Sequence, residues 1–156
     1  MLNVNPKVVM GKVIATIAGV LLLAVAGCSN STPADQALNK ASECGQIEFR
    51  HPPQILSTSG DTTWNGDALV AFVAQVPTSE ISDFITMSGL PQFTPGIPQD
   101  WLRPGRWQKE EWASSLRSAD PGSTRSVHVE QPPQRWVAVE DRKDGTSRVF
   151  LYLTCF

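Results

Sequence analysis

The densest apolar pattern in the chain runs from Ala68 to Val76, where Leu69, Val70, Phe72, Val73 and Val76 occupy both faces of a pleat. Successive strand side chains point to opposite sides, so apolar residues on both predict an internal strand covered on two faces. Pro77 ends the run. Ile81, Phe84 and Ile85 then form one helical stripe between Ser79, a natural N-cap, and Gly89, a natural stop. Glu80 and Asp83 fall in the first turns of that helix, where negative charge complements its dipole.

The remaining elements follow from the same two periods. Ala34, Ala37, Leu38 and Ala41 recur at helical spacing and predict a short helix. Gln46 to Arg50 alternates, with Ile47 and Phe49 on one side, and predicts a first strand stopped by Pro52-Pro53. A Thr-rich edge strand is expected within Ser57 to Asn65, ahead of an Asn65-Gly66 turn. Leu90 to Arg106 holds Pro91, Pro95, Pro98 and Pro104 with Gly96 and Gly105, which reads as a long loop, followed by a helix over Arg106 to Leu116. Val127 and Val129 share one face of a strand over Arg125 to Glu130, and His128 takes the other. At the end of the chain, Asp144-Gly145 as a two-residue turn pairs Lys143 with Thr146, Val139 with Phe150 and Trp136 with Leu153. Together these predict an α+β domain: an antiparallel sheet of four to six strands with two helices packed on one face.

The start of the chain has another character. Lys7 and Lys12 precede the uncharged run Val13 to Ala26, which is shorter than the roughly 18 residues a membrane-spanning helix needs. A basic start, a short apolar stretch and small residues before a cut make a secretory leader. Its last residues, Val25-Ala26-Gly27-Cys28, resemble the lipobox of bacterial lipoproteins. That resemblance implies removal of residues 1–27, a diacylglycerol on the Cys28 sulfur, palmitate among the acyl groups, and a protein held on the outer face of the cell membrane, or on the periplasmic side in a Gram-negative cell. Residues 28–43 then read as the lipidated cysteine with a tether and a short helix, and residues 44–156 as a single domain. In an exported chain the other two cysteines, Cys44 and Cys155, are expected to bond to each other and clasp the two ends of the domain.

Charge narrows the function further. Both basic residues of the leader leave with it, so residues 28–156 carry eleven basic and fifteen acidic side chains, a net of −4, with the basic ones scattered. That balance argues against a nucleic-acid partner. Two cysteines and the two histidines, His51 and His128, are too few and too far apart in sequence to suggest a metal site. Neither Gly-x-Ser-x-Gly, Ser-x-x-Lys nor a phosphate loop occurs, and no cofactor is implied. The carboxylate pairs Glu110-Glu111 and Glu140-Asp141 read as a solvated helix face and as strand neighbours pointing apart. No catalytic residue is assigned.

One concentration stands out: Phe93, Trp101, Arg103, Arg106, Trp107 and Trp112 crowd the long loop and the helix after it. Tryptophan and arginine anchor interfaces, yet tryptophans in such a segment also fasten it to a core, and both readings stay open. The leading expectation is a lipid-anchored, non-catalytic binding or accessory module for an envelope protein or glycan. The alternatives are an envelope hydrolase or transferase assembled around His128, and a carrier of a small apolar ligand or lipid.

Overall fold

The computed structural model describes residues 31–62, 68–103, 107 and 109–155. The leader, Cys28, Trp64, the Asn65-Gly66 turn and Arg106 lie outside the described residues. A first helix, α1 (Pro33–Gly45), opens the domain, with Thr32 at its N-cap. The Asp35 amide donates to Thr32 Oγ1 at 3.2 Å and the Thr32 amide donates back to the Asp35 carboxylate at 2.9 Å, a reciprocal capping box. The Thr32 hydroxyl and amide together hold the Asp35 carboxyl below the usual carboxylate range. The helix crosses residue 43 and packs on the sheet through Ala37, Leu38 and Ala41.

Strands β1 (Gln54–Thr62) and β2 (Ala68–Pro77) pair antiparallel. Helix α2 (Ile81–Met87) is followed by a two-residue strand, β3 (Thr94–Pro95), a 3-10 turn over Gln99–Leu102, and helix α3 (Glu110–Ser118). Three strands close the chain: β4 (Thr124–Val129), β5 (Gln134–Asp141) and β6 (Thr146–Cys155). All pairings are antiparallel and the order across the sheet is β1-β2-β6-β5-β4-β3, so the strand expected from the densest apolar pattern is internal. The α+β class stands as read from the sequence, and the antiparallel sheet expected to have four to six strands has six.

The placement of the helices differs from the expectation of one shared face. Even positions of β2 (Val70, Phe72, Ala74, Val76) and odd positions of β5 and β6 (Val137, Val139, Val149, Leu151, Leu153) pack with α1 and α2. Ala71, Val73, Trp136, Ala138 and Phe150 face the other way and pack with α3 and the turn before it. The sheet is covered on both sides because its central strands are apolar on both sides.

Three local expectations also change. Residues 46–50 form no strand: the Ile47 amide donates to Ala41 O at 3.0 Å and the Glu48 amide to Ser88 Oγ at 2.9 Å, so the segment is tied to helix ends while Ile47 and Phe49 enter the core. Ser79 caps nothing; the chain enters α2 through a 3-10 turn over Thr78–Glu80, without a side-chain cap. The stop at Gly89 does occur, with Gly89 at φ +56°, its amide on Thr86 O and the Leu90 amide on Ile85 O, the bond pattern of a Schellman end. The final hairpin is shifted by one residue, pairing Val139 with Val149 and Trp136 with Tyr152. Its loop has three residues, Lys143 to Gly145, with Gly145 at φ +82°; a left-handed third residue is what such loops require. A one-residue shift exchanges which residues share a face, and here it separates the valine and leucine side from the Trp136-Phe150 side.

Candidate functional site

The tryptophan-rich segment was the strongest candidate in the sequence, and the structure turns most of it inward. Trp101, Trp107 and Trp112 are 5%, 3% and 3% exposed and pack on Ala71, Val73, Ala138 and Phe150. Trp101 meets Trp107 edge-on at 6.1 Å and Trp107 meets Phe150 at 6.2 Å. Phe93 is half-buried and belongs to the cluster on the opposite face of the sheet, so the described members of the set form no common surface. Arg103 is exposed and Arg106 lies outside the described residues. The indoles act as core because the sheet opposite them offers only small side chains at Ala71 and Ala138, leaving volume that they fill. Of the two readings left open by the sequence, these three indoles follow the one in which tryptophans fasten the segment to a core.

The contacts of His128 among the described residues are with aromatic rings. Its ring is exposed and stacks on Trp136 at 4.4 Å, with Trp101 edge-on at 6.3 Å. The register explains this: His128 pairs with Trp136, and Trp136 with Tyr152, so the three form one rung across β4, β5 and β6. The carrier reading meets filled space. Phe72, Val137, Val139, Val149, Leu151 and Leu153, all 0% exposed, fill the sheet beneath α1 and α2.

Cys44 and Cys155 are bonded, with Cα atoms 5.8 Å apart, joining the end of α1 to the end of β6. Gly45 permits this approach: a Cβ there would lie 2.7 Å from Leu153 Cδ2. Beside the clasp, the buried Arg135 donates from Nη1 to Gly45 O at 3.3 Å and to Ser88 O at 3.0 Å, gathering the ends of α1 and α2. Burial pushes the Arg135 guanidinium below its usual range. Ser88, itself 1% exposed, accepts from the Glu48 amide and donates to Glu48 O. Nothing local marked Arg135 or Ser88 in the sequence, because their partners are backbone atoms some 40 or more residues away.

Two clefts at opposite ends of the strands offer room for a ligand. At one end a 380 Å³ pocket is lined by His51, Pro52, Pro53, Gln54, Gln75 and Thr146, among others. Glu80 forms its wall, and His51 Nδ1 donates to Glu80 Oε1 at 3.0 Å, which fixes the ring and leaves Nε2 as its second polar atom. Arg50 and Asp83 pair alongside at 2.8 Å. Thr146, the hydroxyl of this pocket, donates to Asp144 at 2.6 Å, so its proton is committed away from His51. The His51–Glu80 pair joins residues 29 apart in sequence. Read locally, His51 was a solvated turn residue and Glu80 a complement to the helix dipole. The turn of Pro52-Pro53 and the 3-10 entry to α2 bring them together.

At the other end a 440 Å³ groove lies between the first turns of α1 and strands β1 and β2, lined by Pro33, Gln36, Ala37 and Lys40 from the helix and by Thr58, Ser59 and Leu69 among the sheet residues. A smaller cleft of 200 Å³ separates the exposed Leu56 of the edge strand from Trp112 and Arg148. Among the described residues no group of three His, Cys, Asp or Glu side chains could hold a metal ion, and no helix is long and apolar enough to cross a membrane. No protein-family model, curated protein or solved structure matches this chain, which leaves its own geometry as the guide to its function.

Proposed function

We propose that this chain is an exported, lipid-anchored envelope protein, acylated at Cys28, that works as a non-catalytic binding module through the pocket formed by His51, Glu80, Gln54 and Gln75. The pocket itself carries the reading. Its polar groups offer donors and acceptors without excess charge: two glutamine amides, an imidazole and its paired carboxylate. Three proline rings supply the apolar wall. Amide side chains match the donor-acceptor pattern of a peptide group, and the lining contains no aromatic face of the kind that stacks on a sugar ring, so a peptide segment of an envelope protein fits better than a glycan. The lipobox resemblance and the Cys44–Cys155 bond support the location, since disulfides persist on the oxidising side of the membrane.

The test places a photo-crosslinking residue at Gln54 in the full-length protein in its own cells. We expect one adduct with an envelope protein, lost when His51→Ala is added, and none from the same residue placed at Ser114 on α3. Adducts carrying only glycan would replace the peptide partner, and absence of any His51-dependent adduct would overturn the site. Labelling with a palmitate analogue, abolished by Cys28→Ser, checks the anchor separately.

A further inference from the structure

The groove under α1 begins five residues along the chain from the acyl-bearing cysteine of the proposed function, and the following rests on that reading. Cys28 and Pro33 are five residues apart, a span of roughly 17 Å at full extension. Pro33 is both the first residue of α1 and a wall of the groove. The groove is thus leashed to the bilayer surface by less than the length of β2, whose ten residues cover about 30 Å and lead to the His51–Glu80 pocket at the far end.

We propose that the groove between α1 and the β1–β2 pair lies against the membrane in which the protein is anchored and receives its phospholipid headgroups. The helix stripe that lines it, Pro33, Gln36, Ala37 and Lys40, excludes the acidic Asp35, which falls on another side of α1, while Glu43 continues the stripe one turn beyond Lys40, outside the groove. Lys40 is exposed and forms no ion pair among the described residues, which leaves its ammonium free for a phosphate oxygen. The Thr58 hydroxyl, which shares the Phe72 face of the sheet beneath α1, and the Gln36 amide can donate to the same phosphate and its ester oxygens. With the domain otherwise acidic, this is a local contact set by the leash and not a general attraction to an anionic surface. The seating directs the His51–Glu80 pocket away from the bilayer, toward incoming partners.

The experiment uses the full, acylated protein in vesicles of phosphatidylethanolamine and phosphatidylglycerol carrying a headgroup nitroxide quencher. A fluorophore at Asn39, beside the groove, is expected to be quenched at least three-fold more strongly than one at Lys143, on the far hairpin tip. Lys40→Ala is expected to reduce quenching at Asn39 by at least two-fold while the protein still sediments with the vesicles. Equal quenching at the two positions, or no effect of Lys40→Ala, would overturn the seating. Failure to sediment, with an unacylated Cys28 by mass spectrometry, would instead sink the anchor reading, so the two failures are told apart.

Discussion

The two faces of the sheet are built from alternate residues of the same strands, yet they divide the work of packing differently. Beneath α1 and α2 the sheet supplies the bulk, with Phe72, Val137, Val149, Leu151 and Leu153, and α1 contributes small residues, Ala37 and Ala41. Beneath α3 the sheet supplies Trp136 and Phe150 but is small at Ala71 and Ala138, and the volume there is filled from outside by Trp101, Trp107 and Trp112. Interiors fill to a common density, so small side chains on one partner call for large ones on the other. The comparison predicts where each face is fragile. The first is weak at a helix that adds little volume, and the second at a segment that three indoles hold down.

The largest expected effect tests the first face. With only alanine and leucine side chains to hold α1, the Cys44–Cys155 bond closes 111 residues of sequence and limits the unfolded chain. Replacing both cysteines by serine is expected to cost about 4–5 kcal/mol in the chain-entropy account. Urea unfolding of the double variant measures it, and hydrogen exchange should show α1 amides losing protection before those of β6. A loss under about 1 kcal/mol would mean that α1 is held by its packing after all.

The second prediction sets the faces against each other. Phe72→Ala and Trp107→Ala each remove a buried aromatic ring, 0% and 3% exposed, and each is expected to destabilise by about 3–5 kcal/mol. Equal costs by chemical denaturation would establish one continuous core on two sides. If Trp107→Ala stayed within about 0.5 kcal/mol, as surface substitutions do, the indoles would return to the status of a binding surface. The second face also holds two buried indole N–H groups, Trp107 Nε1 and Trp112 Nε1, with no hydrogen-bond partner among the described residues.

The contrast explains what could be read from the sequence. The aliphatic face announces itself by period: Val70, Phe72 and Val76 alternate, Ile81, Phe84 and Ile85 repeat helically, and Gly89 marks the stop. The tryptophan face does not, because an indole in an irregular segment serves an interface or a core equally well, and the deciding feature is the space above Ala71 and Ala138 on distant strands. The hairpin shows the same limit on a smaller scale. Asp144-Gly145 marked the turn correctly, but the choice between a two-residue and a three-residue loop depends on the left-handed Gly145 and decided which residues share a face. The His51–Glu80 pocket was invisible for a related reason, since its members come from three separate stretches and none forms a motif alone.

A smaller effect is expected where polar groups tie the aliphatic face at its rim. Arg135 and Ser88 together satisfy Gly45 O, the Glu48 amide and the backbone after α2. Ser88→Ala leaves a part-buried Glu48 amide without its acceptor and is expected to cost about 1–3 kcal/mol. Arg135→Met keeps much of the side-chain volume while removing the same kind of support, so a comparable loss would locate the effect in hydrogen bonding and not in packing. Thermal unfolding of both variants at one pH decides this.

The smallest prediction concerns two neighbouring acids that the pleat sends to opposite faces. Glu140 turns toward Arg148 and Arg142 and keeps Oε2 buried without a hydrogen bond among the described residues. Asp141 takes both nitrogens of Arg125, at 2.5 and 3.1 Å, and accepts from Ser147 Oγ at 2.6 Å. Partial burial raises the Asp141 carboxyl, but the Arg125 and Ser147 hydrogen bonds and the Arg125 charge together outweigh it and hold the group below the usual carboxylate range. A carboxyl depressed in the folded state binds its proton less readily there than in the unfolded chain. Its contribution is therefore fully present above the unfolded value of about 3.9 and is lost as pH falls through the lower folded value. Asp141→Asn should remove about 1 kcal/mol at neutral pH, a modest figure because the pair is about 30% exposed, and should flatten the fall in stability below pH about 4. Denaturation curves of the two proteins that stay parallel down to pH about 2.5 would show that Arg125 and Ser147 do not hold this carboxylate, and that the aliphatic face owes its rim to Arg135 and Ser88 alone.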